Sequence, residues 1–155
     1  MRHLAHSLLG ASELCAVATV TPRRAAYINT AYFAWTPELR IVWLSDSHAT
    51  HSRNVNANRS AAVAVYDSHQ SWERPDRGIQ LFGTAREARG SAAEHVYAER
   101  FPEYAKTELG SYRLYELCPR RVKLFDEKAL GGGTFVTARV TAEGRLTWER
   151  TEVYD

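Results

Sequence analysis

Residues 14–35 read LCAVATVTPRRAAYINTAYFAW, and the fold class turns on how this stretch is punctuated. Leu14–Val20 and Ala25–Trp35 are rich in β-branched, aromatic and small residues, and Pro22-Arg23-Arg24 between them supplies turn chemistry. Two strands joined by a turn are predicted. Thr36-Pro37-Glu38 then reverses the chain again, because proline presets one corner of a turn, and Arg40–Ser45 reads as a third strand. Short extended runs in such close succession predict an antiparallel meander.

Upstream, Leu4 and Leu8 lie at helical spacing before Gly10, so a short helix within residues 2–11 is predicted to cap the core. Downstream, residues 46–59 are polar with Val55 and Ala57 as their main apolar members, and with Asp46 or Ser47 as N-cap they predict a second short helix. Ser60–Tyr66 alternates as a strand with Ala61, Val63 and Val65 on one face. A polar loop holding Trp72, Pro75 and Asp76 leads to an extended segment, Gly78–Glu87. Ser91 and Glu94 have the spacing of a capping box, predicting a helix over Ala92–Arg100 that Phe101-Pro102 ends. Tyr112–Leu117 and Arg121–Phe125 read as two strands around Cys118-Pro119-Arg120. Gly131-Gly132-Gly133 reads as a flexible joint, since no strand-to-helix context with a phosphate-binding lysine follows it. Thr134–Val140 and Arg145–Val153 flank a hairpin turn at residues 141–144. Many short strands and few helices make the expected class mostly β, an antiparallel barrel with peripheral helices.

The 155 residues suit one domain of ordinary size, and 45% hydrophobic with 25% charged residues is the balance of a globular chain. A formal net charge of +2 is too small for the electrostatic footprint of a nucleic-acid binder. No apolar run approaches the roughly 20 residues that span a bilayer, and the N-terminus lacks a signal-peptide core. Neither nucleic acid nor membrane is therefore expected as a partner. The expected location is the cytoplasm, and in that reducing compartment Cys15 and Cys118, far apart in apolar segments, read as buried reduced thiols.

Conventional catalytic motifs are absent. His48 and His51 could share a helix face, but no further ligands complete a metal set, and no metal is expected. Ser7, Ser45, Ser52 and Ser111 lack a nucleophile-elbow setting, and Glu13 and Asp126 have no readable acid-base partner. More informative is the cluster Thr50, His51, Ser52, Arg53 and Asn54 at the expected start of the second helix. Backbone donors and the helix dipole favour an anion there, and Arg53 would add a fixed charge, so a phosphate is one reading. A solvated, well-capped helix without a ligand is the other. Tyr27, Tyr32, Phe33 and Trp35 alternate along one strand, where at least one face is ordinary core and Tyr32 could instead line a pocket. Asn29 in the same strand either faces solvent or makes a specific buried hydrogen bond. Trp72 reaches an interface or a site mouth, or packs back on its own subunit.

The succession Ala25–Trp35, Ile41–Ser45, the polar helix through Arg53-Asn54-Val55, Ser60–Val65 and Gly78-Ile79-Gln80-Leu81-Phe82-Gly83-Thr84-Ala85 resembles the pyridoxamine 5'-phosphate oxidase-like FMN-binding split-barrel family. Small bacterial members carry an Arg-Gly-Val-Gln strand and a later Arg-Phe-Pro, matched here by Arg77-Gly78-Ile79-Gln80 and Arg100-Phe101-Pro102. The resemblance covers about residues 12–128. It implies a single domain over 1–155 built as a Greek-key-like split β-barrel, with a C-terminal β-hairpin at about 134–153. It also implies a homodimer with FMN at the subunit interface, and an oxidoreductase acting on a small organic substrate.

By that likeness Asn29, Thr30, Ala31, Tyr32, Leu44 and Ser45 border the flavin ring, while Thr50, His51, Ser52 and Arg53 approach the ribityl phosphate. The chain departs from the family pattern in places. Where the family usually has an Arg-Lys pair at the start of the phosphate helix, this chain has Thr50-His51 or His51-Ser52, and Ala34 stands where a family lysine contacts ligands. The C-terminal Arg and His of true pyridoxamine phosphate oxidases have no counterpart after Gly133, which argues against oxidation of vitamin B6. The missing cationic pair keeps a deazaflavin- or haem-binding relative of the same fold in view, and the lack of any identifiable substrate keeps a non-catalytic flavin-binding or sensing protein in view.

Overall fold

In the computed structural model, which describes residues 1–67 and 69–154, eight antiparallel strands form one sheet. The first four are β1 (Leu14–Val20), β2 (Ala26–Trp35), β3 (Ile41–Asp46) and β4 (Ser60–Tyr66). They are followed by β5 (Arg77–Glu87), β6 (Tyr112–Asp126), β7 (Thr134–Val140) and β8 (Leu146–Val153). The order β3-β2-β1-β4-β5-β6, closed by pairing of β3 with β6, makes a six-stranded barrel. Within it β3-β2-β1-β4 is a Greek key: three hairpin-linked strands, then a fourth that returns beside the first. β7 and β8 extend the sheet beyond the barrel as the expected hairpin.

Strand alternation separates the barrel's two faces. Cys15, Val17 and Thr19 of β1, Ala61, Val63 and Val65 of β4, and Ile79 and Leu81 of β5 are buried. Trp43 and Tyr115, paired directly across β3 and β6, stack with ring centroids 5.9 Å apart in the same core. Helix α1 (Arg2–Leu9) buries Ala5, Leu8 and Leu9 against the end of the barrel near Arg77. Helix α2 (Thr50–Ala57) closes the other end with Ser52, Asn54 and Val55, and the Asn54 Nδ2 donates to Thr19 Oγ1 at 3.1 Å. Helix α3 (Ser91–Arg100) lies outside, where Ala93 and Tyr97 pack with Ala34, Val42 and Leu114 in a second apolar cluster. Asp126 caps the one-turn helix α4 (Glu127–Leu130), accepting from the Lys128 and Ala129 amides at 3.1 Å. Among the described residues no helix is long and apolar enough to cross a membrane.

Several expectations need correction. The two strands expected around Pro119 are one continuous strand, β6. Proline is tolerated because the register with β5 shifts between Phe82 and Gly83, leaving Pro119 opposite a glycine. A Cβ on Gly83 would fall on the Cys118 carbonyl oxygen and within 2.8 Å of the Pro119 Cα, so this crossing requires glycine. Neither expected cap forms. The N-cap of α2 is Ala49, because Asp46 belongs to β3 and its carboxylate is engaged elsewhere, and the N-cap of α3 is Gly90, with Ser91 already inside the helix. Gly133, at φ 63°, is no flexible joint: its carbonyl accepts from the Tyr154 amide at 3.0 Å, and a Cβ there would strike the Tyr154 carbonyl.

Candidate functional site

The C-terminal end of β3 carries the densest polar network near the start of α2. Ser45 points inward, is almost fully buried, and shares a hydrogen bond with His51 Nε2. Asp46, next along the strand, accepts from the His48 amide and the Ser111 hydroxyl, both at 2.7 Å, while its carbonyl accepts from the Ser52 hydroxyl at 2.7 Å. These hydrogen bonds to the ionised form hold the Asp46 carboxyl below the usual carboxylate range, that to the His48 amide contributing most. The network fixes where α2 begins.

Among the described residues no side chain caps the first turn of α2, and Thr50 and Arg53 are exposed there. That is the donor set an anion needs, although with one fixed cation instead of two. His51 adds no positive charge near neutrality, since burial lowers its pKa below the ordinary 6.5.

The structure divides the expected ring-binding residues between two faces. Asn29 and Ala31 turn toward the interior, opposite Val17 and Cys15, whereas Thr30 and Tyr32 lie on the outer face opposite Ala16 and Leu14. Side chains of four successive strand residues cannot all border one planar ring. Leu44 joins the outer cluster beneath α3, and Tyr32 meets Phe101 edge-on at 5.8 Å. Ser45, His51 and Ser52 gather on the inner side; Thr30, Tyr32, Thr50 and Arg53 are exposed. Asn29 fits neither sequence reading cleanly: among the described residues its Nδ2 reaches only the Thr30 carbonyl, at 3.4 Å, and its Oδ1 is buried without a partner. Trp72 is fully exposed at 101%, which removes the option that it packs on its own subunit. Cys15 is buried as expected, but Cys118 is half-exposed; both are free thiols.

Sequence reasoning missed Ser111, which lies 65 residues from its partner Asp46, and the cluster that Tyr97 and Phe101 build beside Tyr32. Only the Arg100-Phe101-Pro102 motif pointed to that region.

Two imidazoles give this architecture a pH signature. His51 and His6 both have pKa values lowered chiefly by burial, so the unfolded chain binds protons that the native fold resists. Their stabilising contribution is complete above about pH 6.5 and is lost as pH falls through the lower native values. The melting temperature is expected to be flat from about pH 8 to 7 and to fall as the pH drops below about 6.5. His6→Gln combined with His51→Gln should flatten that limb; an unchanged limb would assign it to other groups.

The chain matches known proteins at the level of fold. A haem-binding protein from Mycobacterium smegmatis superposes with a TM-score of 0.74 at 17% identity, covering 89% of this chain and 57% of that one. A pyridoxamine 5'-phosphate oxidase-related FMN-binding protein from Nostoc punctiforme does so with 0.63 at 12% identity, covering 95% and 91%. HutZ, a haem storage protein from Vibrio cholerae, gives 0.61 at 17% identity over 76% and 86%. Against the first of these the chain spans little more than half the relative's length. No curated protein matches the sequence. The sequence itself matches the pyridoxamine 5'-phosphate oxidase family over residues 1–126, which takes in α1, the whole barrel and the α2 site, and the chain belongs to that family.

Proposed function

We propose that this protein binds FMN at the interface of a homodimer and uses it to oxidise or reduce a small organic molecule in the cytoplasm. The observation that carries the reading is the start of α2, which has no side-chain cap among the described residues and where Thr50 and Arg53 are exposed. A phosphate fits this set. FMN would supply hydride or electron transfer, and the protein would orient the ring and exclude water from it. Ser45 and His51 brace the strand end and helix start that frame the site.

The dimer is supported by the outer face of β2-β1-β4-β5. Ala16 and Ala18 lie opposite Ala64 and Ala62, forming a flat floor, and Leu14, Ile28, Tyr32, Tyr66 and Phe82 stand exposed around it. An apolar surface of this kind marks an interaction site, and a second copy would cover it. The exposed Thr30 and Tyr32 would then be enclosed between subunits beside the cofactor. Haem is a second reading, favoured by the haem-binding neighbours.

Titrating the purified protein with FMN, and in parallel with haem, decides between them by flavin fluorescence quenching and the haem absorption band. Arg53→Ala is expected to weaken FMN binding about tenfold or more, because a charge-assisted hydrogen bond contributes roughly 1.5–3 kcal/mol. Unchanged affinity would leave Arg53 on a solvated helix face. Haem binding without FMN binding would overturn the flavin reading.

A further inference from the structure

A cleft of about 290 Å³ lies where the last turn of α2 meets the start of β4 and the end of β5, lined by Val55, Asn56, Arg59, Arg86, Glu87 and Arg89. Pockets for drug-sized ligands start at about 300 Å³, so this one suits a group of few atoms. Val55 is the one apolar residue in that lining, and polar contacts must therefore carry any binding.

The sheet gathers the arginines from separate parts of the sequence. The Ala85 amide donates to the Arg59 carbonyl at 2.7 Å, which sets Arg59 beside Arg86 across the β4–β5 pairing. Arg86 is held in place: its Nε donates to Glu116 Oε1 at 2.7 Å, and its Nη2 lies 2.6 Å from the same oxygen. That carboxylate is almost fully buried and is shared with Arg40, whose Nη1 is 3.6 Å from Oε2. Arg59 and Arg89 are exposed, and among the described residues neither makes an ion pair or a side-chain hydrogen bond. In and beside the cleft, four guanidiniums thus meet only two carboxylates, Glu87 and Glu116. Cations near a helix C-terminus offset its dipole, but that role accounts for Arg59 at most, since Arg86 is committed to Glu116 and Arg89 follows β5.

We infer that this cleft binds a phosphate group, with Arg86 as a fixed cation and the solvent-accessible forks of Arg59 and Arg89 meeting its oxygens. Guanidinium N–H pairs match phosphate oxygens two at a time, and the excess of two positive charges matches a dianion. The cleft and Thr50 lie at opposite ends of α2, on the order of 10 Å apart along eight residues, so the inference does not depend on which cofactor the other end takes.

Inorganic phosphate and ribose 5-phosphate are titrated into the full chain at low ionic strength, with sodium chloride as control and the backbone amide resonances followed by NMR. Both phosphates are expected to shift the Arg59, Arg86 and Arg89 amides saturably at millimolar concentration, and chloride at equal ionic strength is not. Tighter binding of the ester assigns the site to phosphomonoesters; equal binding assigns it to the free ion. Arg59→Gln and Arg89→Gln should each weaken binding about tenfold at an unchanged melting temperature, the effect of losing a charge-assisted hydrogen bond. Arg24→Gln, which removes the same charge from the exposed turn between β1 and β2, should leave binding unchanged. Glu87→Gln should tighten it severalfold by removing a like charge from the cleft, a gain that damage to the fold cannot produce. Shifts that do not saturate, that chloride reproduces, or that survive the double variant of Arg59→Gln with Arg89→Gln would overturn the inference and leave a solvated arginine surface. FMN bound at the start of α2 moves the Thr50 and Arg53 amides instead, so failure of either reading is seen separately from the other.

Discussion

Trp43→Ala lowers the unfolding free energy by about 3–5 kcal/mol, the cost of truncating a large aromatic in a core that collapses only in part. Trp43 is fully buried at the centre of the barrel, on the strand that closes it, and its ring stacks on Tyr115 directly across the β3–β6 pairing. A domain of this size has a total stability of roughly 5–15 kcal/mol, so the variant is left near the edge of folding. Trp43→Phe should behave differently. The indole Nε1 has no hydrogen-bond partner among the described residues, so phenylalanine removes an unpaired buried donor along with some volume, and the two effects offset to a net cost of about 1 kcal/mol. Urea denaturation of both variants checks this. If Trp43→Phe costs as much as Trp43→Ala, the indole N–H makes an interaction that matters, and the polar interior around Tyr115 and Asn29 is better satisfied than its contacts imply.

Which parts of the barrel are legible in the sequence follows from the range of the forces that make them. Strands such as Leu14–Val20 and Ser60–Tyr66 are written in local alternation, and their boundaries match. The closure of the barrel is not written locally. It pairs Ser45 with Arg113 and Ile41 with Leu117, partners about seventy residues apart that no short window connects. The break expected at Pro119 failed because a proline signal is local, whereas its remedy, Gly83 on another strand, is tertiary.

The site divides in the same way. Thr50, His51, Ser52 and Arg53 were visible as a polar cluster because they are consecutive, and the structure does set them at a helix start. Alternation then turns Ser45 inward and Thr30 outward, so a run of neighbours in sequence became two faces in space. Asp46 looked like a cap because aspartate before a helix usually is one. Its carboxylate instead takes the His48 amide and the Ser111 hydroxyl, the latter from a segment with no sequence signal to connect the two.

Ala62→Glu is expected to turn the proposed dimer into a monomer of 17.5 kDa at micromolar concentration. In a single subunit the new side chain points outward between Ala18 and Phe82, so it meets water and the melting temperature changes little. In a face-to-face dimer the same carboxylate is trapped against Ile28, Phe82 and the alanine floor, and a buried unpaired charge costs several kcal/mol. An isologous interface carries the substitution twice, and each 1.4 kcal/mol weakens association tenfold, so the dissociation constant should rise by about a hundredfold or more. Thr147→Glu, on the exposed strand β8 beyond the barrel, serves as the control and should remain dimeric. Sedimentation velocity reads both, and a wild-type protein that sediments as a monomer refutes the dimer outright. The FMN titration of Ala62→Glu then locates the cofactor. If the flavin lies between subunits, its affinity falls together with the dimer; if the monomer keeps full affinity, the pocket is completed by α2 and β2 of one chain, and Thr30 and Tyr32 face the solvent.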